Sequence, residues 1–274
     1  MITAHKNNHI KRIPADKKLN IALDAIRRQE TVVDISKRYD CSRTTVYQQQ
    51  DKALAAANKA FEADDEDVLF YIPVTKSFIE QAVVSLRLIC ESSYRNIMFY
   101  VATMYNYHVS LGTVFNILDE AADKAPPINQ SYDLSLIKDS ASDELFHWGS
   151  PILATVDIPS RFCALLVKED CRDYETWGVH LLDLIEQGYG PETTHRCSSM
   201  IENFNSRLRP YLDKRKFMSQ KSLGLIQLYL NYKPFMRSKH ERLKGKTPAE
   251  ALTGKAHKPW LEMLGFTPWY KQAA

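Results

Sequence analysis

Apolar residues recur at helical spacing through the first 125 positions and gather into short unbroken runs only between positions 151 and 168. Leu19, Ile21, Leu23, Ala25 and Ile26 give a helical stripe within Asp16 to Arg28. Thr31 can cap a helix from Val32 to Tyr39, with Val32, Ile35 and Tyr39 on one side. Asp40-Cys41 makes the turn, since Asp enters the left-handed backbone more readily than most residues. Ser42 then caps a third helix that turns Val46 inward and continues through the alanine-rich Ala53–Ala57 to about Phe61. The acidic stretch from Glu62 to Asp67 reads as a solvated linker.

A second cycle of the same kind follows. Lys76 to Cys90 is amphipathic, Ser93 to Tyr105 is another helix, and Asn106 to Val109 is the turn. Ser110 caps Leu111 to Ala122, with Val114, Ile117 and Leu118 inward, and Ala125-Pro126-Pro127 ends the run. The pattern changes at Pro151–Asp157 and Phe162–Lys168, which read as a hairpin turning at Ile158–Arg161. A helix over Glu175–Gln187 stops at Gly188. Leu223–Tyr232 is an apolar helix limited by Pro234, and Thr247-Pro248-Ala249-Glu250 is a helix start with cap, proline and acid in order.

A short helix, a tight turn, a Ser cap and a polar third helix is the arrangement of helix-turn-helix DNA-binding modules. With Val46 inward, Arg43, Thr44, Tyr47 and Gln48 remain on the outer face, where the start of such a helix meets base edges in the major groove. The bland alternative is a three-helix packing unit with no DNA contact. Ser110-Leu-Gly-Thr-Val114 parallels Ser42-Arg-Thr-Thr-Val46, so the unit looks duplicated. The second copy is less polar, which leaves DNA contact and a structural or dimerising role both open.

Charge sharpens this picture. Residues 1–60 carry 12 Lys and Arg against 6 Asp and Glu, and residues 195–258 carry 15 against 4, whereas residues 131–194 carry 4 against 12. Basic flanks around an acidic middle suit a protein that holds phosphates at its ends and builds its centre from carboxylates. Arg207, Arg209, Lys214, Arg215, Lys216 and Lys221 alternate with Phe204, Tyr211 and Phe217 as a phosphate-contacting run. A second basic run covers Arg237, Lys239, Arg242, Lys244 and Lys246, and a solvated face is the plain alternative for both. The five cysteines are odd in number, scattered and never spaced CxxC, which argues against a disulfide framework or a zinc site. His195-Arg-Cys197 is too sparse to bind a metal. The polar amino terminus lacks a signal-peptide core, and no run approaches the roughly 20 apolar residues needed to span a bilayer. The expectation is a cytoplasmic protein with no membrane partner.

Two acidic positions carry the candidate chemistry: Asp157, which closes the run Pro151-Ile-Leu-Ala-Thr-Val-Asp157, and Glu202 in Ile201-Glu-Asn-Phe-Asn-Ser-Arg-Leu-Arg209. With Asp143-Glu-Leu-Phe-His-Trp, Thr176-Trp-Gly-Val-His, Lys246-Thr-Pro-Ala-Glu-Ala-Leu252 and Trp260-Leu-Glu-Met-Leu264, they resemble the start and end of a DDE transposase or integrase core. The resemblance covers most of the chain. It implies a ribonuclease-H-like fold, Mg²⁺ or Mn²⁺ as cofactor, Asp157 and Glu202 as the first and last catalytic metal ligands, and transposon-end duplex DNA as partner. It also implies a strand carrying a middle Asp between Thr194 and His195, where Gly190-Pro-Glu-Thr-Thr194 instead runs directly into His195. Two ions about 4 Å apart need three carboxylates to hold them, so this copy reads as internally deleted and catalytically defective. Asp170, Asp173 and Asp183 are the local acids that could substitute. Asp157 also fits the start of a turn with Pro159 and Ser160, and Ser199-Met-Ile-Glu202 fits a capping box.

The expected fold is mainly α: helix-turn-helix units at 12–62 and 75–125, a linker at 126–145, a truncated α/β core at 146–212 and a basic helical region at 213–274. The truncation should leave an unpaired strand edge and an uncovered apolar face. The expected function is DNA binding by a transposase-like protein that has lost strand transfer, with a homo-oligomer or an intact transposase as further partner. The alternatives are a competent transposase using a substitute Asp, and a regulator that inhibits an intact transposase.

Overall fold

Side-chain caps set most of the helix starts. A computed structural model describes residues 13–61, 69, 71–196, 199–213 and 217–268. The protein is mainly helical with one small mixed sheet, and it divides into two units, Met1–Tyr71 and Ile72–Ala274, each with its own core. No described helix is long and apolar enough to cross a membrane.

The first unit holds α1 (Ala15–Arg27), α2 (Val32–Arg38) and α3 (Arg43–Phe61). Thr31 Oγ1 accepts the Asp34 N–H at 3.3 Å, and Ser42 Oγ accepts the Thr45 N–H at 3.0 Å, so both anticipated caps form. Asp40 takes φ 49° in the turn between α2 and α3, the left-handed conformation expected of it. The core is small: Ile21, Ala25, Ile35 and Val46, with Val32, Tyr39 and Cys41 against it. The predicted α1 stripe divides into two rows. Ile21, Ala22 and Ala25 are buried, whereas Leu19, Leu23 and Ile26 lie one row round and stay 56%, 39% and 36% exposed. Tyr39 Oη donates to Asp24 Oδ2 at 2.8 Å and the Arg38 guanidinium reaches the same oxygen at 3.3 Å, tying the end of α2 to α1.

The second unit opens with α4 (Lys76–Leu88), α5 (Tyr94–Tyr105) and α6 (Leu111–Asp123), each started by the hydroxyl of Thr75, Ser93 or Ser110. This helical cycle, expected as its own domain over 75–125, shares one continuous core with everything after it. Arg87 shows why. It is 4% exposed, donates to the Ser92 carbonyl at 3.2 Å and also reaches the Tyr211 carbonyl at 3.4 Å, while Tyr211 Oη donates back to the Leu88 carbonyl at 2.5 Å. Burying an arginine is tolerable only where carbonyls meet its donors, so this pair fixes the cycle to the later helix that carries Tyr211.

The prolines after α6 do not open a linker. Pro126 and Pro127 sit in the first turn of α7 (Ala125–Asn129), where a missing N–H costs nothing. The last part of the stretch assigned to a linker, from Asp139 on, enters the sheet as β1 (Asp139–His147), followed by β2 (Ser150–Asp157) and β3 (Cys163–Lys168). Trp148 and Gly149 join β1 to β2 with φ 49° and 88°, the positive pair that a two-residue hairpin needs. After α8 (Tyr174–Glu186), β4 (Thr193–Arg196) pairs parallel to β1, in register Asp139 with Thr193 through Ser142 with Arg196. The order is therefore β3-β2-β1-β4. The Thr194–His195 junction, where a strand was expected to be missing, is itself a short strand. Nor is the hairpin left with an unpaired edge at β2, because β2 is bonded on both sides and its Pro151–Asp157 segment is wholly buried.

α9 (Ser199–Asp213) packs on β1 and β2, and α10 (Gln220–Tyr232) packs on β3. Two amides of α10 clamp the start of β3. Asn231 Oδ1 accepts the Cys163 N–H at 2.8 Å and Nδ2 donates to the Cys163 carbonyl at 3.0 Å; Gln227 donates to the same carbonyl at 3.0 Å. The capping box at Thr247–Glu250 forms as read and starts α11 (Pro248–Thr253). The apolar face left open belongs to α8, where Val179, Leu182 and Ile185 are 59%, 62% and 55% exposed.

Candidate functional site

The outer row of α3 is built by its cap and its one inward residue. Ser42 sets the first turn and Val46 is fully buried, so the helix is held by its inner side near its start. Arg43, Thr44, Tyr47 and Gln48 are all exposed, with Tyr47 at 53%. Arg43 and Tyr47 stand one turn apart and Thr44 and Gln48 another, so two adjacent files of polar groups leave the start of one helix. The second cycle presents a different surface at the equivalent place. Around Ser110, Leu111 is 49% and Phe115 52% exposed, so its outer face is largely apolar.

Asp157 lies at the end of β2 and is 2% exposed. Its Oδ2 accepts the Ser160 N–H at 2.8 Å and the Ser160 Oγ–H at 2.5 Å, and its own N–H donates to the Phe162 carbonyl at 2.8 Å. Burial raises its pKa from the ordinary carboxylate value, the two Ser160 bonds oppose that, and the like charge of Asp139 reinforces it. Asp139 in turn carries His195 Nε2 at 3.0 Å. The turn-forming role of Asp157 is thus present in full. Glu202 stands exposed in the first turn of α9, flanking the buried row of Ile201, Phe204, Asn205 and Leu208. The expected cap for Glu202 involves residues that begin at the edge of the described segment; Ser199 is the first helical residue.

Among the substitute acids, Asp173 caps α8, accepting the Thr176 N–H at 2.9 Å and Oγ–H at 2.7 Å, which holds its pKa down. Asp170 and Asp183 are exposed in the loop before α8 and on α8. The acid that the sequence reading passed over is Asp143. It lies on β1 opposite Ala154, and its Oδ2 accepts from Asn205 Nδ2 at 3.0 Å. Asn205 is 4% exposed, follows Glu202 by one turn of α9, and keeps its own Oδ1 buried without a hydrogen-bond partner. A signal was available in Asp143-Glu-Leu-Phe, a polar-to-apolar switch just before the Trp-Gly turn, but a strand this polar shows itself only through its partners.

The basic residues separate. Arg209 is exposed on α9. Arg207 is half-buried, donates to the Leu230 carbonyl at 3.3 Å and lies 5.7 Å from the Phe235 ring centre, so part of its work is holding α9 to the end of α10. Withdrawal from water lowers its pKa from the usual arginine value. Lys214, Arg215 and Lys216 lie outside the described residues. No family model matches the sequence, and neither does any curated protein.

Proposed function

We propose that this chain is a duplex-DNA-binding protein related to DDE recombinases, that α3 is its reading helix, and that it no longer performs strand transfer. The observation that carries the reading is the outward row Arg43, Thr44, Tyr47 and Gln48 on a capped helix whose inner side is fixed by Val46. A helix held this way can lay its first two turns in a major groove, where Arg and Gln make paired hydrogen bonds to purine edges. The helix order in residues 15–61 supports a helix-turn-helix unit. The strand order β3-β2-β1-β4, with β1 and β4 parallel and helices on the sheet, supports a reduced ribonuclease-H-like core. Transposon-end DNA is the partner that follows, with a second copy or an intact transposase as the partner for assembly.

The loss of chemistry rests on the carboxylates. Asp157 is enclosed and hydrogen-bonded within a turn, Glu202 faces solvent, and Asp173 is committed to capping α8. Divalent Mg²⁺ or Mn²⁺ chemistry on DNA requires two ions held together by shared acids. A second reading, a competent enzyme, is favoured by Asp143, which Asn205 holds against α9 one turn from Glu202. A mobility-shift titration on selected duplexes at fixed salt tests the main reading. Arg43→Ala should weaken binding by about 1–3 kcal/mol if it contacts a base edge, and by a smaller, sequence-independent amount if it contacts phosphate. Unchanged binding by the variant, or no binding by the wild type, would overturn the assignment of α3.

A further inference from the structure

A groove of about 450 Å³ runs between the first turns of α9 and the chain after α10, in the second unit. Six of its lining residues are basic: Arg161, Arg207, Lys233, Arg237, Lys239 and His240. No Asp or Glu lines it, and among the described residues none of these six forms an ion pair with a carboxylate. The five Arg and Lys charges around this one concavity repel one another in the empty protein. We propose that this groove is a phosphodiester-binding site, taking one or two backbone phosphates of a nucleic-acid strand.

The groove is built rather than incidental. Arg161 is the last residue of the β2–β3 turn, sits at φ 66° in the left-handed region, and is anchored by Nη1 donating to the Ile158 carbonyl. A non-glycine residue is held there only where surrounding contacts determine it. Arg207 is fixed from the opposite side by Leu230 and the Phe235 ring. Lys233 lies 5.6 Å from the Tyr229 ring centre, so its stem is directed too. The remaining basic residues, Arg237, Lys239 and His240, are on an exposed loop whose base is pinned: the Phe235 N–H donates to the Lys246 carbonyl and the Gly245 N–H to the Phe235 carbonyl, both at 2.9 Å. Burial lowers the Arg161 pKa and the nearby charge of Arg242 adds to this, against the opposing charge of Asp157. Met236 is 76% exposed among these cations, an apolar surface on which a sugar or base can rest beside a held phosphate.

This site rests on the nucleic-acid reading but not on α3, since Arg43 belongs to the other unit. The phosphodiester could come from a single strand or from a duplex, and the two are told apart by the probe. Fluorescence anisotropy of the full-length protein should use a labelled six-nucleotide single strand and a six-base-pair hairpin. Each is titrated against wild type, Arg43→Ala, and the double variant Arg237→Gln with Lys239→Gln, whose side chains make no packing contribution that thermal unfolding would register. The double variant should bind at least one probe about tenfold more weakly, with a salt slope shallower by about 1.4 for the single strand, two phosphate contacts at about 0.7 each. Arg237→Lys with Lys239→Arg should restore both. Arg43→Ala should weaken the hairpin curve far more than the single-strand curve, so a failure of the α3 reading appears in that variant and a failure of the groove in the other. Binding of neither probe by wild type, or equal curves for wild type and the double variant, would overturn the proposal.

Discussion

Asp157 offers a perturbation whose size can be worked out from its surroundings. Replacing it with Ala removes both acceptor bonds to Ser160, which is itself only 2% exposed. The Ser160 N–H and O–H are then buried with nothing to accept them, at about 1–3 kcal/mol each, while relief from burying a carboxylate offsets part. The net loss should be about 2–4 kcal/mol. Asp157→Asn keeps an acceptor oxygen and discards the charge, so it should lie within about 1 kcal/mol of wild type. The pH dependence separates the two further. Burial, the largest cause, raises the folded pKa above the unfolded one, so the stability from this linkage is complete below about pH 4 and is lost as pH rises through the folded value. Wild type should therefore lose stability relative to Asp157→Asn on going from mild acid to neutrality. Urea unfolding at several pH values measures this. An Ala variant as stable as the Asn variant would refute the turn assignment, and a wild-type advantage that grows with pH would refute burial as the largest influence on the carboxylate.

Other outcomes follow from the same contacts. Asn231→Leu should cost about 2–4 kcal/mol, because it leaves the buried Cys163 N–H without its acceptor; thermal unfolding reads it. Burial pushes the Cys163 thiol far up, whereas Cys90 and Cys171 are exposed, so a maleimide should label the latter two in the native protein and Cys163 only after unfolding. Leu182→Glu on the open face of α8 should change stability by no more than about 0.5 kcal/mol while lowering hydrophobic dye binding.

What the sequence disclosed depends on where the relevant partner lay. Caps at Thr31, Ser42, Ser93 and Ser110 act within three residues of themselves, so the helices they start were readable, as was the hairpin whose apolar residues run without interruption. β1 was hidden because its buried positions include Ser140 and Ala141. Ser140 is made acceptable by the Tyr189 hydroxyl at 2.8 Å, 49 residues away, and Ser142 by Thr155 at 3.0 Å. The single core of the second unit was hidden for the same reason, since Arg87 and Tyr211 find each other across more than 120 positions. At the candidate sites, the α3 row needed only periodicity. The Asp143–Asn205 contact and the basic groove both need the packing of α9 on the sheet.

The central claim is that this protein holds DNA without cutting it. It is tested most directly by incubating full-length protein with Mg²⁺ or Mn²⁺ and an end-labelled duplex that it binds in a mobility shift, then resolving the strands under denaturing conditions. The account predicts a shifted but intact duplex, with Asp143→Ala, Asp157→Ala and Glu202→Ala indistinguishable from wild type in that lane. Specific nicking or joining by wild type, abolished by Glu202→Ala and by either aspartate variant, would contradict it and establish a working recombinase.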